Sequence, residues 1–389
     1  MRLLIFLGTM LAAFAAATPA PAGEEVSLVT ELQATLDAFQ KRYAFPGATA
    51  AIALPDGTVV TAATGLADVE AARPMTPDSR MLAASVGKTF VAATVLALES
   101  EGMLSRHDRV AAHLGDRSWF AALPNAGSMT IGQLLSHRAG LPDHVYMPAF
   151  REAFAARVAA GEGAFTPEQI LGFLAGAKPL FAAGEGWAYS DTGYILLGLV
   201  IEAVTSQTYY ELVQTTFLAP LDLEDTTPSD HRDIAGLAVG YTIPGNAFGL
   251  PERTADAGGA LLWDPATEWT GGGLASTSRD LARWGRALYR GAALETPYLD
   301  RLLDAASVAP DAPDTLYGAG VTIYTKTAHG PVYGHGGWIT GYVSSLRYYA
   351  DRGVTVAFQI NTDAGVVDDS SDLTSALESA LADLAVGAR

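Results

Sequence analysis

The sequence contains no cysteine among its 389 residues. This excludes disulfide bonds, a thiol nucleophile, thiolate metal sites and a lipid-modified N-terminal cysteine. Basic residues are also few, because 24 Lys and Arg stand against 42 Asp and Glu, which gives a net charge of −18 at pH 7. A surface of that sign repels nucleic acid and anionic lipid, so neither is expected as a partner.

Long apolar runs are absent except at the N-terminus. Residues 1–22 combine a basic Arg2, the apolar stretch Leu3–Ala17 and an A-x-A cleavage site at Ala20-Pro21-Ala22. A transmembrane anchor is the alternative, but the stretch is shorter than the roughly 20 residues that a span needs. The pattern therefore predicts a signal peptide over residues 1–22, no stable membrane insertion after its cleavage, and a periplasmic or secreted protein.

Strand patterns lie near both ends of the chain. Two strand-like runs, Ala48–Leu54 and Thr58–Thr64, flank the turn residues Pro55-Asp56-Gly57, and Val343–Tyr349 and Val354–Ile360 flank Asp351-Arg352-Gly353. Shorter extended runs are expected at Gly320–Thr325 and Pro331–Tyr333. Helical spacing of leucines precedes the first pair, over Leu28–Tyr43, and follows the last, over residues 370–386.

The middle of the chain is mainly helical in pattern. The helices expected there are Ser85–Ser100, Ile131–Leu135, Pro167–Ala175, Thr192–Val204, Tyr209–Phe217 and Arg279–Arg290. With strands at both ends, this predicts an α/β fold whose antiparallel sheet is formed by both chain ends and flanked by helices, with a large inserted all-helical region. We place the α/β part at residues 23–84 and 315–389 and the mainly helical part at 85–314.

The segment Ala83-Ala84-Ser85-Val86-Gly87-Lys88-Thr89 carries the first chemical signal. A phosphate-binding loop needs glycine at position 82, which is Leu. A G-x-S-x-G nucleophile elbow needs glycine at position 83, which is Ala, so a triad with a later histidine is a weak alternative. The third interpretation is S-x-x-K, in which residues three apart share one helix face and Lys88 reaches the Ser85 hydroxyl. A serine hydroxyl needs such a base to act as a nucleophile.

Two further motifs follow in the sequence. Tyr189 lies just before an apolar helix, and a nearby lysine ammonium is expected to lower its pKa so that it shuttles a proton. The run Tyr333-Gly334-His335-Gly336-Gly337-Trp338 is glycine-rich extended backbone, along which a substrate can lie closely. One of its amides, paired with the Ser85 amide, would form an oxyanion hole.

Together these motifs resemble the penicillin-recognising serine hydrolases. The similar branches are class C β-lactamases, DD-peptidases of the carboxypeptidase type, D-aminopeptidases and related esterases. The resemblance is carried by Ser85-Val-Gly-Lys88, Tyr189-Ser-Asp191 and His335-Gly-Gly337, in the family's order. Flanking segments at 134–142, 189–199 and 271–280 are also similar, so the resemblance covers about residues 28–363.

The resemblance implies roles for these residues. Ser85 would form an acyl-enzyme, Lys88 and Tyr189 would form the base system, and the amides of Ser85 and Trp338 would form the oxyanion hole. Asp191, His335, Gly336 and Gly337 would line the substrate site. No metal or organic cofactor is implied, and the partner is a small-molecule or peptide substrate.

Two residues depart from the family pattern. Asp191 stands where Asn is usual. Its charge would keep Lys88 protonated, which would make Tyr189 the main proton acceptor, and it could also bind a cationic substrate group. His335 stands where Lys is frequent, and it would anchor a substrate carboxylate poorly and give activity a pH dependence. His137 is interpreted as structural, and Asp143 and His144 are given no role.

The leading hypothesis is an exported serine hydrolase that acts by acyl transfer on an ester or on a D-amino-acid amide or peptide. A DD-carboxypeptidase or β-lactamase acting on cell-wall peptides or β-lactams is the alternative within the same chemistry. A non-catalytic protein that binds peptidoglycan or peptides is the alternative of another class. The acyl donor, the leaving group and the oligomeric state are left open by the sequence.

Overall fold

A computed structural model describes residues 22–368 and 370–387 of the chain. The predicted signal peptide, residues 1–22, lies outside the described residues except for Ala22, at which the first helix begins. Within the described ranges, no helix combines the length and the apolar character that crossing a membrane requires.

The described residues form helices and strands that alternate unevenly along the chain. The strands are β1 (Gly47–Ala53), β2 (Val59–Asp68), β3 (Arg73–Pro74), β4 (Met81–Leu82), β5 (Thr227–Pro228), β6 (Leu274–Ser276), β7 (Ala306–Ser307), β8 (Thr315–Tyr317), β9 (Thr322–Tyr324), β10 (Val332–Ile339), β11 (Tyr342–Tyr349) and β12 (Val354–Ile360). The α-helices are α1 (Ala22–Tyr43), α2 (Lys88–Ser100), α3 (Ala111–Leu114), α4 (Ile131–Leu135), α5 (Pro148–Ala160), α6 (Pro167–Gly172), α7 (Asp191–Thr205), α8 (Tyr209–Val213), α9 (Ser278–Tyr289), α10 (Tyr298–Leu303) and α11 (Leu373–Gly387).

Both ends of the chain join one antiparallel sheet. Its strand order is β3-β2-β1-β12-β11-β10-β9-β8-β7. The N-terminal β1 pairs with the C-terminal β12 from Ala48 opposite Ile360 to Ala53 opposite Thr355. The two predicted hairpins lie on either side of this junction, and Gly57 in the first turn has a φ of +101°, which favours glycine. The predicted α/β fold with a sheet formed by both chain ends is therefore confirmed.

Helices cover both faces of this sheet. On one face α1 and α11 pack together, and Leu28, Leu32 and Leu36 of α1 are buried at a spacing of four residues. On the other face α9 packs against β1, β11 and β12. Beyond α9 lies the larger apolar core, which includes the buried residues of α2 and α7.

The inserted region is less regular than predicted. Helices α2, α4, α6, α7, α8 and α9 match the predicted positions to within a few residues, and a π-helical turn, Gln214–Leu218, follows α8. Helix α5 was not predicted, and residues 229–264 contain no named helix or strand. The sheet also includes β7, which precedes residue 315, where the second segment of the α/β part is predicted to begin. The division of the chain into an α/β part and a mainly helical part stays a prediction.

Candidate active site

Ser85 lies on a short 3-10 turn, Ala84–Gly87, between β4 and α2. The predicted helix start is therefore displaced, because α2 begins at Lys88. Ala84, just before the serine, has a φ of +48°. This left-handed conformation costs a non-glycine residue on the order of 1–3 kcal/mol, and such residues cluster at functional sites.

Two glycines let neighbouring backbone close on this turn. A Cβ atom on Gly272 would lie 2.4 Å from the carbonyl carbon and oxygen of Ala84. A Cβ atom on Gly337 of β10 would lie 2.5 Å from the carbonyl oxygen of Ala83. Neither position has room for a side chain, so the third predicted motif packs directly against the turn that carries Ser85.

Lys88 is fully buried one turn after Ser85. Its Nζ donates a hydrogen bond to Oγ of Ser85 at 3.0 Å and another to the carbonyl oxygen of Gly271, and it forms an ion pair with Asp191. Three acceptors match the three N–H bonds of an ammonium group. Of these acceptors, the Ser85 hydroxyl carries a proton that it can give up, and the Asp191 carboxylate can take one. The structure thus brings together the predicted residues Ser85, Lys88 and Asp191.

Asp191 is the first residue of α7, where the free helix amides favour negative charge. Two further carboxyl groups lie near it. Burial, with the charge of Asp191, raises the pKa of Glu268 to about 7 and raises the pKa of Asp143 well above its usual range. In the described part of the chain, Oδ2 of Asp143 is buried without a hydrogen-bond partner. Neither Asp143 nor Glu268 is among the predicted site residues, since no spacing in the sequence links them to Lys88.

Tyr189 faces the same centre from the loop before α7. Nζ of Lys88 lies 5.1 Å from its ring centroid. The expected lowering of its pKa is wrong, because burial and the charge of Asp191 raise the pKa of Tyr189 well above its ordinary value, although the Ser85 hydroxyl beside it opposes the shift. Its hydroxyl group is buried without a hydrogen bond of normal geometry among the described residues. The phenol therefore keeps its proton at neutral pH.

A chain of hydrogen bonds links the second motif to the third behind the Tyr189 ring. The backbone N–H of Ser190 donates to Nδ1 of His137 at 3.2 Å, so the proton of His137 lies on Nε2, which is 3.1 Å from the Tyr317 hydroxyl oxygen. That hydroxyl in turn donates to Nε2 of His335 at 2.8 Å. The other ring nitrogen of His335, Nδ1, donates to the carbonyl oxygen of Gly336. These partners assign both histidines as neutral, each with one tautomer.

The environment of His335 contradicts the expectation that it titrates near neutrality. Burial and the charge of Lys88 lower its pKa to about 3. Burial likewise lowers the pKa of His137 well below its usual value. His335 therefore contributes a neutral imidazole to the site, and Tyr317, which is not among the predicted residues, holds it in place.

The predicted glycine-rich run forms part of β10. The neighbouring β9 pairs with β10 only at Val332–Gly334. In the described structure, residues 335–339 of β10 thus have no strand partner on that side. An extended substrate backbone can lie along this open edge, as an added strand does in peptide recognition.

A pocket of about 400 Å³ opens beside Ser85 and the β10 edge. One side, here called the polar wall, consists of Ser85, Tyr189, Asp191, Glu268 and His335. The other side, here called the aromatic wall, consists of Tyr146, Phe150, Phe154, Phe248 and Trp263. Trp338 also lines the pocket, and its ring lies 6.1 Å from that of Phe248.

The aromatic wall is not among the sequence predictions. The spacing of Phe150 and Phe154 places both on one face of α5, so an apolar helix face was visible there. Phe248 and Trp263 lie in the irregular segment 229–264, whose conformation has no local signal. No group of three or more His, Asp or Glu residues in the described ranges is arranged to hold a metal ion.

Several curated proteins are similar in sequence. The chain is 27% identical over 309 residues to penicillin-binding protein 4* of Bacillus subtilis, covering 76% of this chain and 64% of that protein. It is 26% identical over 346 residues to a D-aminopeptidase of Brucella ovis, covering 87% of this chain and 60% of that protein. The chain thus matches less than two thirds of the length of these relatives.

Two solved structures match this chain over nearly their whole length. A D-stereospecific amidohydrolase from Streptomyces sp. superimposes with a TM-score of 0.73 at 27% identity, covering 87% of this chain and 94% of that one. The D-amino acid amidase of Ochrobactrum anthropi SV3, in complex with D-phenylalanine, gives a TM-score of 0.76 at 25% identity, covering 93% and 99%.

The family comparison covers most of the chain. The model of the Beta-lactamase family matches residues 32–381, which include the Ser85 turn, the Lys88–Asp191 pair and the open edge of β10. Since that range takes in the sheet, the inserted region and the pocket between them, the chain belongs to the Beta-lactamase family.

Proposed function

We propose that the protein is a serine hydrolase that forms an acyl-enzyme at Ser85 and hydrolyses amides or peptides of D-amino acids. The observation that carries this proposal is the hydrogen bond of 3.0 Å from Nζ of Lys88 to Oγ of Ser85, at the floor of a pocket with an open strand edge. A buried lysine that contacts both a serine and a carboxylate is an arrangement for moving the serine proton.

The proton path follows from the contacts of Lys88. As Oγ of Ser85 attacks the substrate carbonyl carbon, its proton passes to Nζ of Lys88, which gives one of its own to Asp191. The C–N bond then breaks, and the leaving nitrogen takes a proton from the Tyr189 hydroxyl, which regains one from Lys88, and Asp191 returns its proton to Lys88. Water then attacks the carbonyl carbon of the acyl-enzyme and the bond to Oγ of Ser85 breaks. One proton of the water passes through Lys88 to Oγ, and the other leaves with the released carboxylic acid. Tyr189 serves here as a proton donor, in keeping with its raised pKa.

The oxyanion would be stabilised by the backbone amides of Ser85 and Trp338. The contact of Gly337 with Ala83 brings β10 against the serine turn, which supports this pairing. Donors aimed at the developing charge are worth about 10²–10³ in turnover each.

The substrate class rests on the similar proteins and on the charge of His335. A protein named as D-aminopeptidase is similar to this chain in sequence, and structures named as D-stereospecific amidohydrolase and D-amino acid amidase are similar to it in fold. A neutral His335 supplies no positive charge for a substrate carboxylate, which favours amides and esters over β-lactams and carboxylate-terminated cell-wall peptides. Export to the periplasm or medium rests on the pattern of residues 1–22 alone.

A substrate panel with two serine variants tests the proposal. Wild-type enzyme is expected to hydrolyse D-phenylalanine amide faster than the L-enantiomer, a D-Ala-D-Ala peptide or a chromogenic cephalosporin. Ser85→Ala should lose at least about 10⁴-fold in kcat/KM, since a catalytic unit fails when one member is removed. Ser100→Ala, an exposed serine at the end of α2, is the matched control and should retain full activity. Full activity in Ser85→Ala would overturn the assignment.

A further inference from the structure

Glu268 is a carboxylic acid on the wall of the pocket that the proton path does not use. It lies between the short 3-10 turns Pro265–Thr267 and Trp269–Gly271. A Cβ atom on Gly271 would be 3.3 Å from Oε2 of Glu268 and 3.9 Å from Cβ of Asp191, so the two acidic side chains share one corner. The Glu268 side chain is only partly buried, and among the side chains that the structure describes, none forms an ion pair or a hydrogen bond with its carboxyl group.

The charges around Glu268 do not balance. Three carboxyl groups, of Asp143, Asp191 and Glu268, surround the single ammonium group of Lys88. Burial lowers the pKa of His335 to about 3, so its imidazole adds no positive charge here. At the far end of the pocket, Arg347 is committed to Glu378 at 3.0 Å. Lys88 pairs with Asp191, and the raised pKa of Asp143 keeps that carboxyl group protonated. Glu268 is therefore the carboxyl group that one more cation would compensate.

A ligand bound at the corner of Glu268 and Asp191 would also contact the rest of the pocket. Ser85 and Glu268 line the same cavity, and the opposite side is the aromatic wall. A D-amino-acid acyl group offers three matching parts: a carbonyl carbon for Ser85, an apolar side chain for the aromatic wall, and an α-ammonium group on the carbon between them.

We propose that Glu268, with Asp191 beside it, binds the α-ammonium group of the substrate and thereby selects acyl donors with a free amino group. This inference rests on the proposed function. Burial and the charge of Asp191 raise the pKa of Glu268 to about 7, so this carboxyl group is partly protonated at neutral pH. The positive charge of a substrate ammonium group would take the place of that proton. Glu268 is thus a specificity-determining residue that does not take part in the acyl transfer.

The test compares two anilides that differ only in the amino group. The substrates are D-phenylalanine p-nitroanilide and 3-phenylpropanoic p-nitroanilide, measured at pH 7.5 with wild-type enzyme, Glu268→Gln and Glu152→Gln. Glu152→Gln removes the same charge from an exposed position on α5. We expect Glu268→Gln to lower the preference for the amino substrate at least about tenfold, through KM, while the rate on the other anilide stays within about twofold. Glu152→Gln should keep the wild-type preference.

Three results would overturn the inference. The first is an unchanged preference for the amino substrate in Glu268→Gln, and the second is an equal change of that preference in Glu152→Gln. The third is an equal fall of kcat on both anilides in Glu268→Gln, which would mean that Glu268 takes part in the chemical step. A calorimetric binding experiment separates the ammonium site from the proposed function. Its ligand is 2-phenylethylamine, which has an ammonium group but no scissile bond. Loss of that binding in Glu268→Gln supports the ammonium site even if wild-type enzyme cleaves neither anilide, and unchanged binding contradicts it.

Discussion

The two walls of the pocket are built on different kinds of structure. The polar wall is borne mainly by elements that the fold fixes: the turn before α2, the start of α7 and strand β10. The aromatic wall comes from the turn His144–Tyr146, from α5 and from the irregular segment 229–264. The first wall holds the reacting groups and the second an apolar surface. This difference assigns bond cleavage, with recognition of the amino group by Glu268, to the polar wall and choice of side chain to the aromatic wall, and the predictions below test that division.

The largest effect is expected from removing Lys88. Lys88→Met should lower kcat by several orders of magnitude, at least about 10⁴-fold, because the Ser85 proton then has no acceptor. Steady-state rates on D-phenylalanine amide measure this, with exposed Lys41→Met as the control. A rate near that of wild type would remove Lys88 from the base system and favour a triad with His335.

Loss of the Lys88 charge also leaves Asp191 buried without its partner. Breaking such a pair costs about 3–5 kcal/mol of stability. The double variant Lys88→Met/Asp191→Asn removes both charges, so it should regain stability in thermal unfolding and stay inactive. Recovery of activity in the double variant would contradict the proton path.

The aromatic wall should control selectivity without controlling the chemistry. Phe154 is buried and lies 5.6 Å from Phe248 and 6.0 Å from Trp263, centroid to centroid. Phe154→Leu keeps an apolar side chain, yet it should lower kcat/KM for D-phenylalanine amide by about tenfold relative to D-alanine amide, as the lost ring contact is worth about 1 kcal/mol or more. Equal losses on both amides would mean that the two walls are not separable.

A smaller effect concerns the pH dependence of stability. The pKa of Glu268 is about 7 in the folded protein against 4.5 in the unfolded chain, so the folded state binds the proton more tightly. The contribution is therefore favourable at low pH and is lost as the pH rises through 7. Glu268→Gln, which is neutral at every pH, should raise Tm by roughly 1–2 °C at pH 8 and leave it unchanged at pH 5. The same comparison with Glu152→Gln should show no pH-dependent difference.

Local patterns predicted the fold well because its main features are locally encoded. The turns at Pro55-Asp56-Gly57 and Asp351-Arg352-Gly353 join strands that are adjacent in the sheet, and both the turns and the strand-like runs beside them are visible in the sequence. The contact of Lys88 with Ser85 follows from their spacing of three residues. The resemblance to the family was carried by motifs on such ordered elements, and the family match confirms it.

Burial and long loops account for what the sequence did not show. Tyr189 was expected to lose its proton readily and His335 to titrate near neutrality. The Tyr189 hydroxyl and the His335 ring are buried, however, and burial disfavours their charged forms. Glu268 and Trp263 reach the pocket from a segment without periodicity, so nothing local places them there. Spacing along the chain reports which residues share an element, not how deeply they lie in the protein.

The central claim is that Ser85 is the nucleophile, and covalent labelling tests it most directly. The protein is incubated with a fluorophosphonate, digested and mapped by mass spectrometry, with Ser85→Ala and Ser100→Ala treated in parallel. We predict one adduct, on the peptide that contains Ser85, in wild-type protein and in Ser100→Ala, and none in Ser85→Ala. Folded wild-type protein that takes no label, or takes it on another residue, would contradict the account.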